Sequence, residues 1–391
     1  MKKRSLVVVC VVTLGALSVL GAAQQWLSRV AAAQAGAAVQ APRFEVDPTW
    51  PKPLPNNWVL GSVIGVAVDA QDHIWIVHRP DALQANEKAA SLTPPAASCC
   101  TPAPPILEFD QQGTLLRHWG GPVQGAPYEW PESNHGITID YKGNVWIAAN
   151  GQKDAHALKF TQDGKFLLQI GHLGKSKGSL DEENLKQAAK IFVDKATNEA
   201  YVADGYGNHR VIVFDADTGA YKRMWGAYGN KPDDVDYGRY KPDAPPLQQF
   251  RNPVHCSEIA VDGLVYVCDR VNDRIQVFQK DGKFVKEAFI AKNTLGSGSV
   301  WDIAFSRDPQ QRFIFLADGM NQRIWILQRD TLAVVSSFGG GGRMPGVFYG
   351  VHSIAIDSKG NLFTTETWTS QRAQKFLYRG MAPAARTQGH D

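Results

Sequence analysis

Several common functional signatures are missing from this chain. It contains no Walker-type or Rossmann glycine pattern and no Gly-x-Ser-x-Gly elbow. After residue 23, no apolar run is long enough to span a bilayer. We therefore do not expect a nucleotide-binding site or a serine-hydrolase site of these types, nor an integral membrane domain.

The sequence also lacks a strong charge of either sign. Residues 1–35 hold four of the 41 Lys and Arg and none of the 38 Asp and Glu, so the remainder has 37 basic residues against 38 acidic ones. A net charge near −1 argues against nucleic acid or an anionic membrane surface as the main partner. We expect a small-molecule or peptide substrate and a monomeric protein.

The N-terminus has the pattern of an export signal. Lys2, Lys3 and Arg4 precede an apolar run over residues 6–23, and an Ala-Gln-Ala sequence at 33–35 offers a cleavage site. Residues 1–35 are therefore predicted to be a signal peptide, with the mature protein secreted or periplasmic and away from the membrane. An uncleaved membrane anchor is the alternative interpretation.

One pattern recurs along the rest of the chain. HGITIDYKGNVWIAAN at His135 returns as HCSEIAVDGLVYVCDR at His255 and as HSIAIDSKGNLFTTET at His352. Each copy has a strand, a turn glycine eight residues after the histidine, and a second apolar strand, which is typical of a β-hairpin. Three further hairpins without the histidine follow the same pattern, with first strands predicted at 66–68, 191–193 and 303–305.

Each hairpin is followed by two more short strands, so the chain repeats a four-stranded unit six times. This predicts an all-β fold, a six-bladed β-propeller, over residues 62–379. The sixth unit lacks a fourth strand, and a segment at 43–46 within an N-terminal extension (36–61) is predicted to close the ring, which removes an open sheet edge. Residues 380–391 are predicted to be a disordered tail.

The loops are long on one face of the predicted propeller. Inserts at about 80–105, 172–186, 228–253 and 339–349 all emerge where first strands begin. The three repeat histidines also begin first strands. Because functional sites are often walled by loops on a rigid scaffold, this face is the predicted site of function.

The three histidines occupy one equivalent position in units two, four and six. The same position holds Ile64, Ala189 and Trp301 in units one, three and five. Alternate blades of a six-bladed ring lie a third of a turn apart, so His135, His255 and His352 should converge on the axis as an open three-nitrogen metal site. Zinc is favoured, with iron, copper or nickel also compatible. The alternative is three hydrogen-bonded core histidines.

Three further side chains are predicted to lie on the histidine face, because they end second strands that run back towards it. They are Arg79 in unit one, Arg270 in unit four and Tyr206 in unit three. Two guanidinium groups can hold a carboxylate. A phenol beside a metal can act as a proton-transferring acid or base. The alternative is surface ion pairing and an ordinary channel tyrosine.

These residues carry a resemblance to a known family. The repeat resembles the NHL repeat, and the site resembles that of peptidyl-α-hydroxyglycine α-amidating lyase (peptidylamidoglycolate lyase), in VHRPD, NHGITIDYKGN, YVADGYGNHRVIVF, VHCSEI, VCDRVNDRIQVF and GVHSIAID. The resemblance covers about residues 74–376. It implies a six-bladed propeller with the three histidines as zinc ligands, Tyr206 as the proton-transferring phenol, and Arg79 and Arg270 beside it.

The resemblance also implies a reaction, the cleavage of a hydroxyglycine-extended peptide into a peptide amide and glyoxylate. The chain departs from the family pattern at several positions. Ser353 stands where the family has an acidic calcium ligand, so a structural calcium is not expected, and Gly350 replaces a methionine. The family's paired cysteines are replaced at three places by other residues, namely Gly207, Tyr266 and Val277.

The cysteines of this chain leave their pairing open. Cys99 and Cys100 are adjacent, which makes a bond between them strained, and they could bridge other cysteines, bind metal or remain thiols. Cys256 and Cys268 lie on paired strands and could be close. The function predicted from the whole sequence is a zinc-dependent lyase. The rivals are a non-catalytic propeller that binds a peptide, glycan or protein, and a metal-dependent hydrolase or oxidoreductase on the same histidines.

Overall fold

The structure, a computed structural model, describes residues 39–384 and shows six four-stranded antiparallel sheets arranged as a β-propeller. The predicted signal peptide (1–35) lies outside the described residues. Among residues 39–384, no helix has the length and hydropathy needed to cross a membrane. The predicted all-β fold is therefore confirmed.

The first three blades contain strands in simple chain order, apart from one insertion. Blade 1 consists of β3 (Ser62–Val68), β4 (Ile74–Arg79), β6 (Ile106–Phe109) and β7 (Leu115–Trp119). Blade 2 consists of β8 (Asn134–Ile139), β9 (Val145–Ala149), β10 (His156–Phe160) and β11 (Phe166–Gly171). Blade 3 consists of β12 (Lys190–Asp194), β13 (Glu199–Asp204), β14 (Arg210–Asp215) and β15 (Tyr221–Trp225).

The last three blades follow the same order, except that the fourth strand of blade 6 is β1, the first strand of the described chain. Blade 4 consists of β16 (Val254–Ile259), β17 (Val265–Asp269), β18 (Arg274–Phe278) and β19 (Phe284–Phe289). Blade 5 consists of β20 (Asp302–Phe305), β21 (Phe313–Asp318), β22 (Arg323–Gln328) and β23 (Val334–Gly339). Blade 6 consists of β24 (Val351–Ile356), β25 (Leu362–Glu366), β26 (Arg372–Pro383) and β1 (Gln40–Asp47).

The two ends of the described chain meet in blade 6. β1 lies antiparallel to β26 as the outer strand, with Phe44 opposite Tyr378 and Gln40 opposite Pro383. Residues 380–383 were predicted to belong to a disordered tail, and that prediction is wrong, since their backbone pairs with the start of β1. The remainder of the predicted tail, 385–391, lies outside the described residues.

Smaller elements lie in the loops. A two-residue parallel pair joins β2 (Trp58–Val59) to β5 (Thr101–Pro102). Four short 3-10 helices are also present, at Pro80–Ala82, Ala85–Ser91, Ala227–Gly229 and Arg270–Asn272. The longest loops precede the first strands or follow β4, so they lie on the face where the histidine-bearing strands begin, as predicted.

Turn chemistry explains why the inner hairpins form. In blade 2 the Asp140 carboxylate accepts hydrogen bonds from the backbone N–H groups of Lys142 and Asn144 and from Nε1 of Trp146. Gly143 adopts a φ of 82° within this turn, which favours glycine. The Asp therefore fixes the turn and also anchors the large indole of the second strand in the core between blades.

Burial follows the position of a strand in its blade. The inner strands are almost fully buried, for example β9 and β13. The fourth strands are mostly half-buried or exposed, and in β7 half-buried and exposed side chains alternate. Burial that alternates every two residues is expected for an outer strand with one face covered and the other in solvent. The core is thus made of layers of apolar side chains between adjacent blades, and the inner strands are the rigid part of the scaffold that carries the site.

Two disulfides connect all four cysteines among the described residues. Cys256 and Cys268 are directly opposite each other on β16 and β17 and are bonded. Cys99 and Cys100 are bonded to each other, an arrangement that the sequence had made improbable. Because Cys256 and Cys268 are already paired, residues 39–384 hold no other partner for the adjacent pair.

Candidate metal centre

The three repeat histidines meet at the centre of the propeller. Their ring centroids are separated by 5.1 Å (His135 to His255), 4.9 Å (His135 to His352) and 4.8 Å (His255 to His352). One ligand nitrogen from each lies within 4.8 Å of the other two, and all three side chains are buried. We call these three side chains the histidine tripod. The convergence expected from alternate blades is therefore present.

Each histidine is the second residue of a first strand, which is the inner strand of its four-stranded sheet. Two of the imidazoles are held by the next blade through Nδ1. Nδ1 of His135 donates to the carbonyl of Ala189 at 2.7 Å, and Nδ1 of His255 donates to the carbonyl of Trp301 at 2.5 Å. The ring of His352 is hydrogen-bonded to the backbone of Ile64, and its Nδ1 lies 3.5 Å from Oγ of Ser353.

The hydrogen bonds to Ala189 and Trp301 fix the tautomer of two tripod histidines. A carbonyl oxygen can only accept, so in His135 and His255 Nδ1 carries the proton and Nε2 carries a lone pair. Backbone carbonyls that orient metal-binding imidazoles in this way are a common feature of metal sites. With the ring of His352, these two nitrogens form a donor set of the kind that a divalent transition metal requires.

The tripod is also kept neutral. Burial lowers the pKa of all three histidines well below the usual 6.5. The positive charge of Arg270 adds to this effect at all three, and that of Arg79 adds to it at His135 and His352. A neutral imidazole can ligate a metal, whereas a protonated one cannot. The electrostatics of the channel thus favour the metal-binding form of each side chain near neutral pH.

Tyr206 reaches the centre of the tripod. Its hydroxyl lies 3.0 Å from Nε2 of His135 and 3.0 Å from Nε2 of His255, and it accepts a hydrogen bond of 2.9 Å from Nη1 of Arg270. One hydroxyl proton can satisfy only one of the two imidazole lone pairs. The site therefore contains more acceptors than donors, and this excess of lone pairs fits a bound cation.

The two predicted arginines differ in how they are held. Arg79 donates from Nε to the carbonyl of Asn134 and from Nη2 to Oδ1 of Asn150, so it is bound to blade 2. Arg270 is buried against aromatic rings, with its guanidinium carbon 4.5 Å from the centre of the Trp301 ring. Its Nε atom is buried and has no hydrogen-bond partner within the described chain. Arg270 thus has one donor that no group of the described chain uses.

A buried ion cluster, which sequence reasoning missed, crosses the channel next to the tripod. Nζ of Lys190 lies 2.7 Å from Oδ1 of Asp302 and 2.8 Å from Oε1 of Glu258. The second oxygen of Asp302 accepts the backbone N–H of Ile354. We call Lys190, Glu258 and Asp302 the channel ion cluster. It joins blades 3, 4 and 5, and through the Ile354 backbone it also reaches blade 6.

The ion cluster continues the strands that orient the tripod. Lys190 directly follows Ala189, and Asp302 directly follows Trp301, the two residues whose carbonyls hold His135 and His255. Burial opposes the charge of Lys190, but the carboxylates of Asp302 and Glu258 outweigh this and raise its pKa above the usual value. Burial, opposed by Lys190, raises the pKa of Glu258 to about 7.

A second group of possible metal ligands lies in blade 1, away from the axis. It consists of Asp69, His73 and Glu108. Asp69 already accepts from two backbone N–H groups and from Trp75, as Asp140 does in blade 2, and Glu108 is paired with His73 and Arg117. These oxygens are engaged in the blade turn and in ion pairs, so the tripod is the stronger candidate.

A cavity of about 620 Å³ opens on the tripod face between the insert before β16 and the loop that follows β19. Its wall includes Asn252, whose side-chain amide donates to the carbonyls of Gly205 and Tyr206. Tyr240 lines the opposite side. The cavity thus lies beside the loop that carries Tyr206, and its volume is typical of sites for small ligands.

No protein-family model matches the chain. Among curated proteins, it is 26% identical to peptidyl-glycine alpha-amidating monooxygenase B of Xenopus laevis over 62% of this chain, but this match spans only 26% of that relative. It is 25% identical to NHL repeat-containing protein 3 of Mus musculus, covering 71% of this chain and 65% of the relative.

A dedicated lyase is also similar. Peptidyl-alpha-hydroxyglycine alpha-amidating lyase 2 of Drosophila melanogaster is 29% identical over 42% of this chain and 39% of the relative. Among solved structures, a streptogramin B lyase has a TM-score of 0.50 at 13% identity, covering 86% of this chain and 98% of that one, which supports the fold alone. The chain is therefore a six-bladed β-propeller that is similar in sequence to NHL repeat-containing proteins and to peptide-amidating enzymes.

Proposed function

We propose that this protein is a metal-dependent lyase that cleaves the C–N bond of an α-hydroxyglycine-type substrate, releasing an amide and glyoxylate. One observation carries the proposal. The hydroxyl of Tyr206 lies within hydrogen-bonding distance of two tripod histidines, His135 and His255, and of the guanidinium of Arg270. The similarity to amidating lyases supports the same reaction class.

Nε2 of each tripod histidine would hold the metal, with zinc favoured by three neutral nitrogens. When bound, the metal supplies a Lewis acid that lowers the pKa of the substrate hydroxyl. Arg270 would bind the substrate carboxylate through its guanidinium group, and Arg79 adds positive charge near the tripod. This places the hemiaminal carbon beside Tyr206.

Tyr206 would then move the proton, acting as a phenolate at the start of the cycle. The phenolate oxygen takes the proton of the substrate hydroxyl, the C–O bond becomes the aldehyde carbonyl of glyoxylate, and the C–N bond breaks. The phenol formed at Tyr206 gives this proton to the departing nitrogen, so the phenolate is regenerated and the products are an amide and glyoxylate without any change of oxidation state. Arg270 donates to the Tyr206 oxygen and would stabilise the negative charge of that phenolate.

The test is glyoxylate release by the purified, metal-loaded chain from an α-hydroxyglycine peptide, with amide formed in equal amount. Tyr206→Phe should lower kcat by about 100-fold or more while leaving the metal content unchanged, because proton transfer by a positioned side chain contributes at least that factor. Tyr237→Phe is a matched control, since its hydroxyl bonds Asp233 in the neighbouring insert. A metal-loaded protein that releases no glyoxylate would refute the lyase and leave a hydrolase or oxidoreductase to be tested.

We also propose that the protein acts in an exported compartment. The two disulfides in the described chain are a kind of bond that persists in oxidising surroundings. Their presence agrees with the predicted signal peptide. Mass spectrometry of the protein from its native host should find a mature N-terminus near Gly36 in an exported fraction, and an intact N-terminus in the cytoplasm would contradict export.

A further inference from the structure

Three aromatic side chains form a continuous path from the tripod to the protein surface. The Trp301 ring lies 5.5 Å from the His352 ring, Trp368 lies 5.8 Å from Trp301, and Tyr349 lies 5.8 Å from Trp368. Each pair meets edge to face, an arrangement that aromatic rings favour. We call Trp301, Trp368 and Tyr349 the aromatic shelf.

Exposure rises along the shelf. Trp301 is 2% exposed, whereas Trp368 is 40% exposed and Tyr349 is 38% exposed. The inner end of the shelf is thus part of the metal centre, and its outer end faces solvent. Large apolar rings left in solvent beside a candidate active site are typical of a surface that binds a ligand.

The backbone that carries the exposed rings is nevertheless anchored. The Trp368 carbonyl accepts a hydrogen bond of 2.8 Å from Ser62 Oγ in blade 1, and the Tyr349 backbone N–H donates to Glu366 at 2.8 Å. The guanidinium of Arg343 lies 4.4 Å from the centre of the Tyr349 ring. Such anchoring lowers the conformational entropy that a ligand must remove on binding, so the surface is preorganised.

Two glycines make room for the shelf. At Gly350, whose φ is +80°, an added Cβ would lie 2.7 Å from Cε3 of Trp368. At Gly319, an added Cβ would lie 2.8 Å from Cδ2 of Trp301. Any larger residue at either position would push an indole away, so the absence of a side chain at these two positions is what allows the rings to lie as they do.

We infer that the aromatic shelf is the binding subsite for an apolar or aromatic side chain on the residue that precedes the α-hydroxyglycine unit, an inference that rests on the proposed function. Adjacent Cα atoms are 3.8 Å apart, so with the hydroxyglycine at the tripod the preceding side chain reaches Trp301 and Trp368. Arg270 stacks on Trp301 and would bind the carboxylate at the inner end of the shelf. Peptides ending in a hydrophobic residue before the hydroxyglycine are therefore the predicted substrate class.

The first test compares acetyl-Phe-α-hydroxyglycine with acetyl-Ala-α-hydroxyglycine on the metal-loaded full chain. The wild-type kcat/KM should favour the Phe substrate by about 10- to 100-fold. Trp368→Ala should reduce this preference about tenfold, through KM, while the kcat for the Ala substrate and the metal content stay unchanged. Trp368→Phe should keep most of the preference, and Tyr349→Ala should lose part of it.

Tyr240→Ala provides the matched control, because Tyr240 is an aromatic residue on the same face but lines the 620 Å³ cavity instead. It should leave the substrate preference unchanged. A wild-type enzyme that turns over both substrates equally would overturn the shelf assignment. So would a preference that disappears in Tyr240→Ala and survives in Trp368→Ala.

A second measurement needs no turnover and separates this inference from the proposed function. Calorimetric titration with acetyl-Phe-amide and acetyl-Ala-amide should show tighter binding of the Phe amide, weakened about tenfold by Trp368→Ala. If no glyoxylate is released but this difference is found, the lyase proposal fails and the shelf stands. If glyoxylate is released and Trp368→Ala changes neither preference nor binding, the shelf fails and the lyase stands. If both readouts are negative, both are wrong.

Discussion

The even-numbered and odd-numbered blades use one repeat position in two different ways. Blades 2, 4 and 6 place an imidazole there, and the imidazole points to the axis. Blades 1, 3 and 5 place Ile64, Ala189 and Trp301 there. The carbonyls of Ala189 and Trp301 hold the imidazole of the preceding blade, and the backbone of Ile64 is hydrogen-bonded to the ring of His352. A metal centre built on a repeat therefore depends as much on the blades without histidine as on those that carry it.

The odd blades also supply what keeps those carbonyls in place. Blade 3 and blade 5 each add a charged residue directly after the carbonyl, and these residues, Lys190 and Asp302, pair with each other across the channel. The even blades contribute Glu258 to the same cluster. The even blades thus supply the side-chain ligands, and the odd blades orient those ligands.

The largest effect is expected when an even blade loses its ligand. His135→Ala should weaken zinc binding by more than about 100-fold, because loss of an indirect partner alone typically costs 10- to 100-fold and here a direct ligand is removed. The measurement is a competition titration against a chelator of known affinity.

His156→Ala is the control for that substitution. His156 is equally buried in blade 2 but bonds to the carbonyl of Glu129, away from the axis. The zinc affinity of the His156→Ala variant should stay within about threefold of wild type, since no metal ligand is changed. Equal losses in both variants would mean that blade 2 as a whole, and not the tripod, governs metal binding.

A smaller effect is expected when an odd blade loses its anchor. Asp302→Asn should destabilise the fold by about 3 kcal/mol, because it leaves a buried ammonium with one fewer partner, and should weaken zinc binding by roughly 10-fold. Denaturant unfolding and the same metal titration measure the two effects. Glu183→Gln, which breaks the exposed ion pair with Lys177, should cost less than about 1 kcal/mol. Similar losses in these two variants would contradict a structural role for the channel ion cluster.

The smallest effect concerns pH. Glu258 has a pKa of about 7 in the folded protein, above its usual 4.5, so the folded state holds this proton more tightly than the unfolded state. Its contribution to stability is therefore complete below pH 4.5 and is lost as the pH rises through 7. Glu258→Gln should reduce the fall in unfolding free energy between pH 5 and pH 8 by about 2 kcal/mol.

Glu183→Gln serves as the control for the pH experiment, because its side chain is exposed and distant from the channel. The unfolding free energy of Glu183→Gln should depend on pH as it does in wild type. Identical pH profiles for wild type and Glu258→Gln would show that the carboxyl does not titrate in this window, and the charge distribution assigned to the cluster would then be wrong.

Much of the fold and the core of the site could be predicted from the sequence. Six repeated strand pairs predicted the blades, and the alternation of three histidines predicted their convergence, because equivalent positions in a closed ring point to one axis. That Tyr206 and Arg270 lie on the histidine face also followed from strand direction, since second strands return to the face where first strands begin, and their place beside the tripod was implied by the family resemblance.

The rest could not be predicted, for identifiable physical reasons. Every residue has a backbone carbonyl, so nothing in the sequence indicated that the carbonyl of Ala189 would hold His135. Lys190 and Asp302 are 112 positions apart and each is an ordinary charged residue until the ring closes. Trp368 and Tyr349 lie in loops, where no period constrains their placement. The error at residues 380–383 has a similar cause, because the pairing partner of that segment is at the opposite end of the chain.

The most direct test of the central claim is anomalous diffraction from crystals of the zinc-loaded protein. The account predicts one strong anomalous peak on the propeller axis, with the Nε2 atoms of His135, His255 and His352 each about 2.0–2.1 Å from the metal. A peak at Asp69, His73 and Glu108 in blade 1, or an axis without metal in protein that carries stoichiometric zinc, would contradict it.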